Sequence, residues 1–359
     1  MEGATKTLAT LIAVIVIVVG GIIAYFAFVG PPPSREITIH FTYQQSDHHL
    51  AAFIILEKGW IEEMATEKGY KVTIVEESFP SGPPQMERFM AGAVDVAYVG
   101  AAPVVSEVAQ ALALEKEGKS VPKAVIVAAV NTQGSALVVR PELAETYKGA
   151  ESLKGKTLGT FPPGSIQDNL LKEWLAKNGL KPGEDVTVIS GTPPELIDLL
   201  STGKIDGAFL PSPGPEIAEI RGIGRIVETS EDIAPGHLCC VLALSDRFIE
   251  ENPELAEIIV KAHIKATEYI KENPEEALEI GSVKLAKLWN YDVNFVREIL
   301  RKSLVENVTG LQFTADPHAV ADKTMKYVEI QYRLGYIPEK PTINDLFDFT
   351  LYDEAVGGK

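Results

Sequence analysis

The sequence predicts an α/β protein of two similar lobes, preceded by one N-terminal membrane-spanning helix. Three observations carry this expectation. Short apolar runs alternate with helix-periodic stretches from residue 36 onward, the order of a mainly parallel sheet flanked by helices. One such unit recurs. Residues 83–103 (PPQMERFMAGAVDVAYVGAAP) are echoed at 193–210 (PPELIDLLSTGKIDGAFL), with Gly92, Asp95, Ala97 and Tyr98 matched by Gly203, Asp206, Ala208 and Phe209. A single echo is too little for a solenoid and fits two related lobes. Residues 8–29 carry no charge and are long enough to cross a bilayer, which needs roughly 20 apolar residues.

In order, residues 36–43 alternate Ile37, Ile39 and Phe41 as a first strand. Ser46 or Asp47 can cap the helix that follows, which ends near Gly59. Residues 70–75 form a second strand. Met86, Phe89 and Met90 recur at helical spacing, and Gly92 stops that helix. Residues 94–99 form a third strand, covered on both faces. A helix starts near Pro103, and residues 124–130 are a fourth strand. The chain crosses between lobes near residues 131–139. The second lobe then repeats the plan: a strand at 156–161, a helix at 166–178, a strand at 186–189, the Pro193 helix, and a strand at 205–210. Ile226 and Val227 suggest another strand, and residues 237–244 a return crossing. From Asp246 the chain is mostly helical, with proline at two helix starts, Pro253 and Pro274. Residues 347–359 carry no clear pattern.

At 359 residues the chain can hold two domains with full cores. Its net charge is −17, from 33 basic and 50 acidic residues. That surface repels nucleic acid and anionic membranes, so neither is expected as a partner. A cleft lined by backbone N–H groups can still be locally positive and take a small anion. Lys6 precedes the apolar segment, which favours a cytoplasmic N-terminus and a bulk that lies outside the cell membrane. A cleaved signal peptide is the alternative. Residues 1–7 are too short for a cytoplasmic output domain, and residues 30–35 are a stiff proline-rich tether. Cys239 and Cys240 are adjacent, which disfavours an ordinary disulfide between them, and they read as buried strand residues.

Several stretches together resemble a known family: HHLAAFIILEKGWIEE (48–63), SGPPQMERFMAGAVDVAYVGAAP (81–103), LKGKTLGTFPPGS (153–165), LLSTGKIDGAFL (199–210) and RFIEENPELAEIIVKAHIKATEYIKENPEEA (247–277). In order and spacing they resemble the extracytoplasmic solute-binding proteins of ABC importers, of the nitrate/sulfonate/taurine type. The resemblance implies a type II periplasmic-binding-protein fold with two crossover segments. Lobe I would comprise residues 36–133 and 242–345, and lobe II residues 134–241. It implies a monomer whose partners are ABC permease subunits and a small polar or anionic solute: a sulfonate or taurine, nitrate or bicarbonate, or a thiamine precursor or flavin. Carried over by position, the ligand contacts would be Gln44, Ser46 and His48, then Ser81 and Gly82, then Gly100, Ala101 and Ala102. The second lobe would add Gly164, Ser165, Gln167 and Ser212, with Asn131 and His237 near the crossings.

None of these loops carries arginine or lysine, which argues against nitrate and leaves sulfonates held by helix N-termini. No aromatic cluster at the mouth is expected, although Tyr43, Tyr98 and Phe161 could stack on a ring. Neighbouring His48 and His49 point apart on a helix and chelate poorly, so no metal and no cofactor are expected. Asp95 and Asp206 read as partners of local turn N–H groups rather than catalytic carboxylates, and no catalytic residue is assigned. Thiamine pyrimidine synthases resemble the same fold but are soluble and cysteine-rich. That enzyme reading, and a ligand-sensing ectodomain, are the alternatives.

Overall fold

The computed structural model describes residues 35–357. The expected membrane helix at residues 8–29 lies outside the described residues. Among those described, no helix is long and apolar enough to cross a membrane. In chain order the strands are β1 (Arg35–Gln44), β2 (Tyr70–Phe79), β3 (Val96–Gly100), β4 (Ala124–Thr132) and β5 (Ser135–Val139). They continue with β6 (Thr157–Thr160), β7 (Thr187–Ser190), β8 (Gly207–Pro211), β9 (Arg225–Thr229), β10 (Leu238–Ser245) and β11 (Gln312–Phe313). Two sheets result, in the orders β11-β4-β10-β3-β1-β2 and β7-β6-β8-β5-β9.

Apart from the edge strand β11, the sheets share one plan, with β2-β1-β3-β10-β4 answering β7-β6-β8-β5-β9. In each, three parallel strands are followed by one antiparallel strand. The antiparallel strands, β5 and β10, are those that enter from the other lobe. A local strand is fed by a helix from the far edge, whereas a crossing segment enters at the edge where the parallel strands end. The sheets are therefore mixed, where strand–helix alternation alone suggested mainly parallel ones. The return to the first sheet comes at Leu238, so the expected lobe limit at 241/242 falls inside β10.

The sequence echo has a physical basis. His40 N donates to Asp95 Oδ2 at 2.8 Å, and Asp95 N donates to His40 O at 3.0 Å. Thr157 N donates to Asp206 Oδ2 at 2.8 Å, and Asp206 N donates to Thr157 O at 2.8 Å. Each aspartate thus clamps the start of its strand to the neighbouring strand, not to a local turn as the sequence suggested. Both clamps lie at the edge away from the cleft.

The helices Pro253–Glu272 and Pro274–Trp289 start at the two expected prolines, and Val293–Leu304 and Ala321–Arg333 continue the helical region. The last stretch also has structure: Phe347 bridges to Ile126, and helix Thr350–Gly357 packs on Pro253–Glu272 with Leu351 and Ala355 buried. The first lobe's packing therefore runs past residue 345. Two rings expected near the ligand are core instead. Tyr43 meets Phe53 edge-on with centroids 5.2 Å apart. Tyr98 is fully buried, its hydroxyl 3.0 Å from His263 Nδ1. His263 Nε2 lies 2.7 Å from the Ala129 carbonyl, which can only accept, so Nδ1 is the acceptor for the tyrosine.

Candidate functional site

A cleft of about 370 Å³ opens between the sheets, at the edge where the parallel strands end. This is the edge at which α/β sheets bind ligands. The segments after β1, β2 and β3 supply Gln44, Ser46, His48, Gly82 and Gly100. Those after β6 and β8 supply Ser165, Gln167 and Ser212. These eight expected residues are brought together.

The other expected residues stand behind them. Ala101 and Ala102 are fully buried in the first turn of helix Ala101–Lys116, between Gly100 and Pro103, which do face the cleft. Ser81 precedes helix Gly82–Met90 and is buried. Asn131 Nδ2 donates to the His48 carbonyl at 2.6 Å. Gly164 O accepts from Gln331 Nε2 at 3.3 Å. His237 Nδ1 lies 3.1 Å from Gln133 Oε1. None of these six lines the cleft.

Donors converge here for a local reason. Helix Ala101–Lys116 begins at Gly100, which has no side chain to cap its first N–H groups. Helix Ile166–Lys177 begins at Ser165, whose hydroxyl accepts from Asp168 N at 3.2 Å. Both positive helix ends face the cleft. Gly82 is required by space: a Cβ there would overlap the Pro103 ring and approach Gln44 Nε2 to 3.3 Å. Gly82→Ala is expected to narrow this wall and weaken ligand binding about tenfold or more, with a stability loss of about 1–3 kcal/mol. Calorimetric titration beside a thermal melt separates the two effects, and unchanged affinity would show that the wall yields.

Three further features escaped sequence reasoning. Arg221 lines the rim, so the cleft does hold a basic side chain. Its guanidinium lies over Tyr291 and Phe295, 5.5 and 5.7 Å from the ring centroids. Phe161, one of the three rings named from the sequence, lines the cleft, and Trp289 and Tyr291, which were not named, join it in an aromatic wall. Trp289 and Tyr291 come from the C-terminal helical region, far in sequence from every strand-end loop. The third feature is the Cys239–Cys240 pair, which lines the cleft floor. Because β10 runs antiparallel, its first residues lie where the parallel strands end.

Both cysteines are free and neighbour His48. His48 Nδ1 is 3.3 Å from Cys239 Sγ and 3.8 Å from Cys240 Sγ. Burial alone would lower the His48 pKa, but the Cys239 sulfur, Asp47 and the Gly134 carbonyl outweigh it and raise the value to about 9. The contact with Cys240, opposed by burial and helped by His48, holds the Cys239 thiol well below its ordinary value. His49 is the opposite case: burial pushes it down to about 3, and its Nδ1 accepts from Gln44 N at 2.7 Å.

The lobes also meet through polar contacts. Ser46 Oγ donates to the Ser212 carbonyl at 2.8 Å, and Ser212 Oγ lies 2.8 Å from Asp47 Oδ2 and 3.1 Å from Glu216 Oε1.

Comparison with known proteins agrees with this geometry. Residues 30–284 match the NMT1-like family. A putative aliphatic sulfonates-binding protein of Bacillus subtilis is 27% identical over 306 residues, 84% of each chain. The nitrate/nitrite binding protein NrtA of Nostoc is 26% identical over 246 residues, 62% of this chain and 56% of the relative. The nitrate import ATP-binding protein NrtC of Synechocystis is 30% identical over 178 residues, 47% of this chain, which spans 27% of that relative's length. Among solved structures, the alkanesulfonate-binding protein SsuA from Xanthomonas axonopodis, bound to MOPS, superposes with a TM-score of 0.68 at 17% identity, covering 88% of this chain and 99% of that one. The periplasmic nitrate-binding protein NrtA from Synechocystis gives 0.70 at 16% identity, over 89% and 88%. These structures share the two-lobed fold. With more than half its length matched, and with sheets and cleft of this plan, the chain belongs to the NMT1-like family.

Proposed function

We propose that this protein is the extracytoplasmic solute-binding component of an ABC importer, not an enzyme, and that its solute is an organic sulfonate. The observation that carries this reading is the composition of the cleft wall. Two helix N-termini and Arg221 suit an anionic head, while Phe161, Trp289, Ile217 and a run of prolines suit an apolar body. Nitrate and bicarbonate would leave that apolar wall without a partner. The Bacillus subtilis relative, alike over most of both chains, carries a sulfonate-binding name.

Residues 8–29 would tether the protein to the membrane as a single-pass anchor, leaving the lobes to work as a monomer that hands solute to permease subunits. One lobe would comprise residues 36–133 with the chain from Leu238 onward, the other residues 134–237. Solute touching both walls would stabilise the closed arrangement and exclude water.

A thermal-shift panel tests the reading. Taurine, short alkanesulfonates and MOPS are expected to raise the melting temperature, with nitrate and bicarbonate far weaker. At a hundredfold excess over the dissociation constant the gain is about 2.7 kcal/mol by mass action. Arg221→Ala should weaken sulfonate binding about tenfold without moving the melting point of the free protein. A panel in which no sulfonate shifts the melt would overturn the assignment, and turnover of any panel member would revive the enzyme reading.

A further inference from the structure

We propose that His48, Cys239 and Cys240 form a binding site for a thiophilic d10 metal ion, Zn²⁺ or Cu⁺, with one coordination position open to the cleft. Three donor atoms form a triangle with edges of 3.3 Å (Cys239 Sγ to His48 Nδ1), 3.8 Å (Cys240 Sγ to His48 Nδ1) and 3.6 Å (Sγ to Sγ). A tetrahedral Zn²⁺ with bonds of about 2.3 Å to sulfur and about 2.0 Å to nitrogen sets its donors about 3.8 Å apart (S to S) and about 3.5 Å apart (S to N). The triangle therefore fits such an ion with small movements. Donor softness selects the metal. Two thiolates and an imidazole, with no carboxylate in the triangle, favour Zn²⁺ or Cu⁺ over Mg²⁺ or Ca²⁺.

The backbone is built to produce this set. Neighbouring residues on a regular strand point to opposite faces, so adjacent cysteines should diverge. Here the pairing of β10 with β4 shifts register around Cys240: Leu238 faces Thr132 while Cys240 faces Asn131, which leaves Cys239 as an extra residue. A bulge of this kind re-aims side chains, and both thiols reach His48. The imidazole is oriented as well. Its Nε2 lies 2.8 Å from the Gly134 carbonyl, which can only accept, so Nε2 carries a proton. That leaves Nδ1 as the ring position turned to the two sulfurs, and a carbonyl behind the far nitrogen is the usual support of a metal-ligating histidine.

One buried polar atom nearby has no hydrogen-bond partner: Asn131 Oδ1, on a residue beside Cys240. Buried groups of this kind normally find a partner, so it is free to meet a polar group bound at this spot. All three donors line the cleft, so the fourth position falls to water or to a donor atom of whatever occupies it. The chain's two cysteines are both committed to this spot. The inference is independent of the solute's identity.

Cobalt(II) tests it directly. The full chain, kept reduced and stripped of metal by chelation, is titrated with Co²⁺. The expected result is saturation at one equivalent, with thiolate-to-cobalt charge-transfer absorption, intense visible bands of four-coordinate cobalt, and displacement by one equivalent of Zn²⁺. The double variant Cys239→Ser, Cys240→Ser should lose the charge-transfer band. His48→Gln should lower Zn²⁺ affinity at least about tenfold in competition with a chromophoric chelator. His318→Ala, at an exposed histidine stacked on Phe349, should change neither. The wild-type titration decides even if the cysteine variants fold poorly. No charge-transfer band in the reduced wild type, or a band that persists in the double variant, overturns the site. Neither outcome alters the sulfonate melting shifts, so the two readings fail separately.

Discussion

Stability should fall by about 4 kcal/mol between about pH 6.5 and 8.5. Two buried carboxyls drive the fall. Burial pushes Glu107 up to about 8, with Asp246 adding to the rise and the Ala124 N–H and Lys123 opposing it. Burial and then the Asp47 charge push Glu216 up to about 8. The geometry around Glu216 asks for the same proton. The Ser212 hydroxyl sits between Asp47 and Glu216 but has one hydrogen to give. A protonated Glu216 donates to Ser212, which then donates to Asp47.

A carboxyl whose folded pKa is raised keeps its proton in the folded state after the unfolded chain has lost it. Its contribution is complete below about pH 4.5 and is lost as pH climbs to about 8. His49 and His263, pushed by burial down to about 3 and about 4, act oppositely: they cost stability as pH drops below about 6.5. The two effects offset one another at mildly acidic pH. Between about pH 6.5 and 8.5 His48 and Cys239 exchange a proton within one pair and nearly cancel. Between about pH 6.5 and 8 the two glutamates act alone, each worth on the order of 2 kcal/mol at 1.36 kcal/mol per pH unit. Urea unfolding at pH 6 and 8.5 measures the drop. Glu107→Gln should remove about half of it and raise stability at pH 6 by about 2 kcal/mol, because the amide has no proton to recover on folding. A flat profile across that interval would show both carboxyls to be ionised.

How much of this was legible in the sequence follows from the range of the forces involved. Strands, caps and helix stops depend on neighbours a few residues away, and Gly59, Gly92 and Ser46 marked them correctly. The strand-end loops could be placed because the echoed unit fixes which end of each strand is which. Strand direction in β5 and β10 could not, because it depends on where the chain comes from rather than on its composition. The bulge that turns Cys239 and Cys240 to one side exists only in the pairing with β4. Arg221, Trp289 and Tyr291 arrive at the cleft from the C-terminal ends of two helices, one from each side, and no local pattern distinguishes them from solvated surface. Ala101, Ala102, Asn131 and His237 stand one layer behind the wall on which their positions put them, since position along the chain says nothing about side-chain direction.

Gly134→Ala is expected to destabilise the fold by about 3 kcal/mol and to abolish solute-induced stabilisation. Gly134 lies at the corner where the chain leaves β4 for β5, and its φ is +84° after Gln133 at +62°. A side chain in this left-handed region costs about 1–2 kcal/mol. Space is the second cost, because the new Cβ would stand 2.6 Å from His48 Nε2 and 2.7 Å from Leu311 Cδ1. Overpacking of this kind adds about 1–3 kcal/mol. The functional loss has a separate cause. The Gly134 carbonyl accepts from His48 Nε2 at 2.8 Å and from Ser212 N at 2.7 Å, so one oxygen aligns a lining residue from each lobe. Gln133 N, next to it, donates to the His237 carbonyl at 3.1 Å and ties the outgoing crossing to the returning one. A methyl group that displaces the His48 ring therefore disturbs both walls and the link between the crossings. Gly118→Ala supplies the comparison. That glycine has a similar φ of +78° with nothing within 4 Å of a new Cβ, so it carries the backbone cost without the clash. The difference between the two variants in urea unfolding isolates the contact with His48. Equal losses, with solute binding intact in both, would show that the corner bends freely and that His48 is positioned by something other than Gly134.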